Sequence, residues 1–144
     1  MLFSVPHIRQ FILPNQKKMA DLARSFGIHI FYHTDGDVRP IIQNLIDITG
    51  IEILNPIQWR CQSMERKALV RDFGKKIIFH GAMDNQFTMV HGSVAEVRRE
   101  AQENIRILGG DGGLILGPCH NIQVVSPPEN VVALYEAGYE YGRM

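Results

Sequence analysis

Apolar residues in this chain gather in four short, nearly continuous runs at positions 28–32, 51–54, 77–79 and 114–116, and between the runs they recur at three- and four-residue spacings. Short isoleucine-rich runs predict strands buried on both faces, and the longer spacing predicts helices between them. The helices carry start and stop signals. Ser93 with Glu96 has the spacing of a capping box and opens a helix over 94–108, where Val94, Val97, Ala101, Ile105 and Leu108 share a face. Ser126 with Glu129 repeats the spacing, with Pro127 at the first helical position, and opens a last helix to Tyr141. Segments 39–48 and 64–73 predict two more helices, closed by Gly50 and Gly74. A first helix is predicted over 8–26, closed by Gly27 and broken or kinked near Pro14. No Asn-Gly hairpin joins the strands, and crossovers of this length permit parallel pairing with right-handed connections. The expected fold is therefore α/β, with four parallel strands and flanking helices. Its expected core is Leu45, Ile48, Ile53, Leu54, Leu69, Ile77, Ile78, Val97, Ile105, Leu114, Ile115 and Leu134.

Composition narrows the function. The 144 residues fit a single domain over 1–144, and the net charge of zero leaves no global electrostatic case for nucleic acid or an anionic membrane surface. A small molecule is the expected partner. Two cysteines, Cys61 and Cys119, with no signal peptide and no apolar run approaching about 18 residues, predict a reduced cytoplasmic protein without a disulfide framework.

Each apolar run is followed at once by residues able to do chemistry: His33-Thr34-Asp35, Asn55-Pro56-Ile57-Gln58, His80-Gly81-Ala82-Met83-Asp84 and Cys119-His120-Asn121-Ile122-Gln123. In parallel α/β folds the loops after the strands emerge side by side, so four such clusters predict one shared site. His33 and Asp35 stand two apart, where the pleat points both side chains the same way. Each has a plainer reading: a hydrogen-bonded strand-end histidine for His33, an Asx turn or helix cap for Asp35, loop solvation or capping for Asp84 and Gln86, and a small buried hydrophobe for Cys119. Cys61 reads as structural. His7, His29 and His91 read as incidental, with His29 facing away from Ile28 and Ile30 within a strand. The glycine-rich 109–113 stretch precedes a strand instead of opening a helix, so it reads as a connecting loop and not a phosphate cradle.

The stretches Phe31-Tyr32-His33-Thr34-Asp35-Gly36, 40–48 and Ile53-Leu54-Asn55-Pro56-Ile57-Gln58 resemble the uroporphyrinogen decarboxylase superfamily, which also contains cobalamin-dependent methyltransferases. The resemblance continues in order through 79–86, 92–98, 112–123 and Pro127-Pro128-Glu129-Asn130. It implies half of a (β/α)8 barrel, the C-terminal half of a protein more than twice this length. A half barrel has two open edges and an uncovered apolar interior. The chain is thus expected to be a fragment, or to pair with a complementary N-terminal half or a second copy of itself. The abrupt start Met1-Leu2-Phe3-Ser4 points the same way.

The resemblance also implies the site. His33, Asp35 and His120 take catalytic positions, while Asp84, Gln86, Asn121 and Gln123 line the substrate pocket. In the methyltransferase branch a His-x-Cys motif and a later cysteine bind zinc; here Asp35 stands in the first cysteine's place, and the set becomes His33, Asp35 and His120, with Cys119 as the alternative ligand. Imidazole and carboxylate are both competent ligands, though less thiophilic as a set. The implied substrate is a tetrapyrrole, or a methyl donor working with a corrinoid protein. The implied activity is decarboxylation or metal-assisted methyl transfer. In the decarboxylase itself the groups that hold the pyrrole N–H and the carboxylates come mainly from the N-terminal half. The competing expectation is a non-catalytic module that only pairs with a complementary half.

Overall fold

A computed structural model describes residues 3–142, so Met1-Leu2 at the start of the chain lies outside the described residues. Four strands, β1 (Phe31–His33), β2 (Ile53–Asn55), β3 (Ile78–Met83) and β4 (Leu114–Pro118), pair in parallel in the order β1-β2-β3-β4. Among the described residues seven α-helical segments flank them: α1 (Val5–His7), α2 (Leu13–Ser25), α3 (Arg39–Asn44), α4 (Arg66–Phe73), α5 (Thr88–His91), α6 (Val94–Leu108) and α7 (Pro128–Tyr141). This is the expected α/β half of a (β/α)8 barrel.

Register sorts the strand residues onto two faces. Phe31 pairs with Ile53 and Ile53 with Ile78, and two positions on His33 pairs with Asn55. His80 pairs with Ile115. These residues share one face because side chains alternate along a strand. The other face carries Leu54 and Phe79, both fully buried against helices. The first face is open: Phe31 is 49% exposed, Ile115 42% and Ile78 37%. Ile78 and Ile115 therefore leave the expected core, since periodicity marks a strand as apolar on both faces without saying which face is covered.

The covered side holds two clusters. Leu13, Ile42, Leu45, Leu54, Ile57, Leu69 and Phe79 centre the larger, between the first three strands and α2 to α4. Met83, Met89, Val97, Ala101 and Leu134 centre the smaller, where α6 and α7 pack together. Helix α6 begins as expected: the Ser93 hydroxyl accepts from the Glu96 N–H at 3.3 Å, and the Glu96 carboxylate accepts from the Ser93 N–H at 2.8 Å.

Other boundaries depart from expectation for local reasons. Ser126 caps nothing, and α7 starts at Pro128. The residue before a proline is driven out of the helical region, so Pro127 takes an extended conformation (ψ 134°) and passes the first helical position to its neighbour. Pro14 interrupts the regular helix without ending it. A π-turn over Ile8–Ile12 precedes it, with the Leu13 N–H reaching the Ile8 carbonyl, and the missing proline N–H is accommodated in the widened turn. A second π-turn, Leu45–Thr49, completes the helix that ends at Gly50, whose φ of 63° is left-handed. Glu65 caps α4 by accepting from the Lys67 and Ala68 N–H groups, so that helix starts later than periodicity suggests. His29 lies ahead of β1 and meets Glu52 at 2.5 Å, while the same carboxylate takes up the Ile30 N–H.

Replacing Ser93 by alanine removes one arm of the capping box and is expected to cost about 1 kcal/mol. Urea unfolding should show the midpoint falling at unchanged slope, with Ser93→Asp restoring it.

Candidate active site

The four strand ends converge. His33 closes β1, Asn55 closes β2, His80 lies within β3, and His120 follows β4. The His33 and His120 rings meet edge to face at 6.4 Å between centroids, so the segments that follow β1 and β4 come together over one crevice. A cavity of about 780 Å³ opens there, lined by the apolar Ile8, Ile12 and Ile41 and by His33, Asp35, Gln86 and His120. A neighbouring cleft of about 640 Å³ shares His33 and His120 and adds Asn55, His80, Asn121 and Tyr135.

His33 is held at both nitrogens: Nδ1 lies 2.6 Å from Asn55 Oδ1, and Nε2 lies 3.2 Å from Asp35 Oδ2. Asn55 is buried, and its Nδ2 lies 2.7 Å from His80 Nδ1. Burial without a charged partner lowers the His80 pKa from its ordinary 6.5, and the Phe31 ring stands edge-on to it at 5.0 Å.

The proposed ligand trio does not form a ready metal site. His33 and Asp35 touch each other, His120 faces His33 ring to ring, and among the described residues no three His, Cys, Asp or Glu side chains are grouped to hold an ion. Cys119 is buried, donates to the Ile57 carbonyl at 3.4 Å, and has its thiol pushed up to about 12 by desolvation.

Asp84 sits beneath the crevice, buried. Its Oδ1 accepts from the Gln86 and Phe87 N–H groups, and its Oδ2, without a hydrogen bond, is paired in charge with Arg60. It shapes the loop that carries Gln86 into the cavity wall. Gln123 is exposed and donates to the Asn121 carbonyl at 3.1 Å. Thus His33, Asp35, Gln86 and His120 share the larger cavity, Asn121 the adjacent cleft, while Asp84 and Gln123 are engaged in loop structure. Asn55 and His80 join the site although neither was singled out as a site residue; their place in the polar clusters at strand ends was the available signal.

Behind the site, Glu100 of α6 accepts from the Asp84 N–H at 2.7 Å and from the Thr88 hydroxyl, with Arg60 3.9 Å away. The Arg60 guanidinium lies over Trp59 at 4.5 Å. Within β3 the backbone turns at Gly81 (φ 92°) and Ala82 (φ 78°), the latter unusual for a residue with a Cβ. Two donors hold the Ala82 carbonyl in that turn, Trp59 Nε1 at 3.0 Å and Asn104 Nδ2 at 2.8 Å.

A parallel β/α half-barrel with its polar groups gathered at the strand ends defines a class of enzyme-type fold. Within it, the chain belongs to the uroporphyrinogen decarboxylase (URO-D) family, whose model matches residues 2–141. The structure is similar to a methyltransferase from Methanosarcina mazei, with a TM-score of 0.78 and 27% sequence identity over 99% of this chain. This chain spans 39% of that protein's length. No curated protein sequence matches it. Among the described residues no helix is long and apolar enough to cross a membrane.

Desolvation pushes the Glu100 carboxyl above its ordinary 4.5, outweighing the hydrogen bonds it accepts. A folded value above the unfolded one contributes stability below about pH 4.5 that is lost as pH rises through the folded value. Urea midpoints followed upward from pH 4 should therefore carry a declining component that Glu100→Gln removes. An unchanged slope in that variant would assign the decline elsewhere.

Proposed function

We propose that the chain is the strand-end half of a URO-D-family enzyme of the methyl-transfer kind, binding an uncharged or cationic amphipathic small molecule and completed by a complementary half or a second copy. The character of the larger cavity carries this reading. Its lining residues combine an apolar wall with His33, Asp35, Gln58, Gln86 and His120, and include no lysine or arginine. Asp35, against His33 at this wall, favours a neutral or cationic group beside it over a carboxylate. The similarity to a methyltransferase supports the same direction.

In this reading the residues bind and move protons. The isoleucine wall takes the apolar body of the substrate. Gln58 and Gln86 orient its polar end, and His33 Nε2 beside Asp35 exchanges a proton with the reacting group. A corrinoid protein as methyl carrier is the expected partner. Zinc remains the expected metal only if ligand binding or assembly draws His120 toward His33 and Asp35, and no step here depends on it. The non-catalytic reading, a module that only pairs with another half, draws its support from the open sheet face bearing Phe31, Ile78 and Ile115.

Light scattering on the purified chain should find a discrete dimer or hetero-assembly, with the open face covered; a soluble monomer would count against the half-barrel pairing. The substrate class is tested by thermal shift with three ligands of one shape: a phenylalkyl trimethylammonium, its tert-butyl isostere and the matching carboxylate. The first two should bind at least about tenfold more tightly than the third, equivalent to about 1.4 kcal/mol, and Asp35→Asn should narrow the gap. Tightest binding by the carboxylate would favour the decarboxylase instead.

A further inference from the structure

We propose that Glu100 is a positioning residue for the crevice: its one carboxylate, on α6, ties down both ends of the loop 84–88 and so sets the place from which Gln86 meets a ligand. The inference rests on the reading above that Gln86 orients the polar end of the substrate. Asp84 and Thr88, the ends of the loop between β3 and α5, are buried, while Gln86 and Phe87 between them are exposed. A loop exposed along its middle takes its order from its anchors. Both anchors lead to Glu100, itself buried: Oε1 accepts from the Asp84 N–H at 2.7 Å, and Oε2 accepts from the Thr88 hydroxyl.

Two donors at two ends of a loop require two acceptors on one side chain, which a carboxylate supplies; an apolar residue at 100 would leave the Asp84 N–H buried and unpaired. Asn104, one turn further along α6 and fully buried, holds the Ala82 carbonyl at 2.8 Å, so one helix face fixes the chain on both sides of Met83. Asp84 passes the constraint into the loop. Its carbonyl accepts from the Met89 N–H at 2.9 Å, and its Oδ1 accepts from the Gln86 N–H at 2.9 Å and the Phe87 N–H at 3.3 Å. At the other end the Thr88 hydroxyl donates to Glu100 while accepting from Arg60 Nη2 at 3.1 Å, and the same guanidinium lies 5.7 Å from the centroid of the Phe87 ring. That end of the loop cannot turn without breaking both bonds. Between the anchors Gln86 lines the cavity of about 780 Å³ and a smaller neighbour of about 240 Å³. A shift of about 1 Å in such an amide is enough to lose its contact with a ligand. Glu100, which touches no ligand, thus decides whether Gln86 is in place.

The test uses the full chain in the assembly it forms and reads the loop in two ways. Glu100→Met keeps the length of the side chain and removes both acceptors, so hydrogen exchange at the Asp84, Gln86 and Phe87 amides should accelerate at least about tenfold while the α7 amides keep their protection. Glu100→Gln should restore the slow exchange, since its oxygen takes the Asp84 N–H and its nitrogen donates to the Thr88 hydroxyl oxygen. The second reading is titration with the phenylalkyl trimethylammonium probe. Glu100→Met should weaken its binding at least about tenfold in the chain that has Gln86, and less than about twofold in a Gln86→Ala background. A general loosening of the structure would weaken both alike. Unchanged exchange at the three amides would overturn the proposal, as would equal losses of affinity with and without Gln86. Should Glu100→Met fail to fold, Thr88→Val removes one of the two donors and carries the same cycle with Gln86→Ala. Loop amides that respond as expected in a chain that binds no probe would overturn the functional reading alone.

Discussion

Parallel pairing is the constraint from which the rest of this structure follows. A strand that pairs in parallel with its predecessor must be reached by a crossover, and right-handed crossovers lie on the same side of the sheet. With the order β1-β2-β3-β4, every helix falls on one face. That face becomes the core, with Leu54 and Phe79 inaccessible, and the opposite face stays open. The same directionality aligns all four C-terminal strand ends. One topological fact thus creates the site and the exposed apolar surface next to it.

The site is braced from behind. Ala82 adopts a left-handed φ that costs a non-glycine residue of order 1 kcal/mol or more. Its carbonyl is fixed by Trp59 and by Asn104, a polar residue that tolerates full burial because Arg66 also donates to it, at 2.6 Å. Trp59 in turn lies between the guanidiniums of Arg60 and Arg66, at 4.5 and 4.3 Å. Helix α6 therefore reaches through Asn104 and Glu100 to the loop after β3, and the loop carries Gln86 into the cavity. Buried polar groups on a helix face, which look like defects in an amphipathic pattern, are here the links between core and site.

The sequence was most legible where a single local rule decides. The Ser93 capping box, the four strands, their parallel pairing and the family were all readable, because propensity, pattern and motif agree there. Ser126 misled because a second proline at 128 overrides the cap, whereas Pro14 falls, as its chemistry predicts, where the regular helix is interrupted by a π-turn. Asp84 carries both of its readings at once: it caps the turn through the Gln86 and Phe87 N–H groups, as local spacing allows, and lines a cavity of about 240 Å³ with Gln58 and Gln86, while its pairing with Arg60 is a contact that no spacing reveals. The contacts of Asn55 are with two histidines, 22 and 25 residues away, that only the register brings beside it.

The open face gives the crevice an unusual thermodynamic position. The strand ends supply proton-handling groups and one carboxylate, and the cavity is walled by α2's leading π-turn on one side, but the sheet interior has no cover of its own. Burying apolar area at about 25 cal/mol per Å² makes any cover that fits the Phe31, Ile78 and Ile115 surface stabilising. A ligand seated against both the crevice and that cover binds the assembled state more tightly than the separate parts, so ligand and partner each strengthen the other's binding by the same factor. Where a ligand and a cover meet in this way, the binding of one and the docking of the other form a single linked equilibrium.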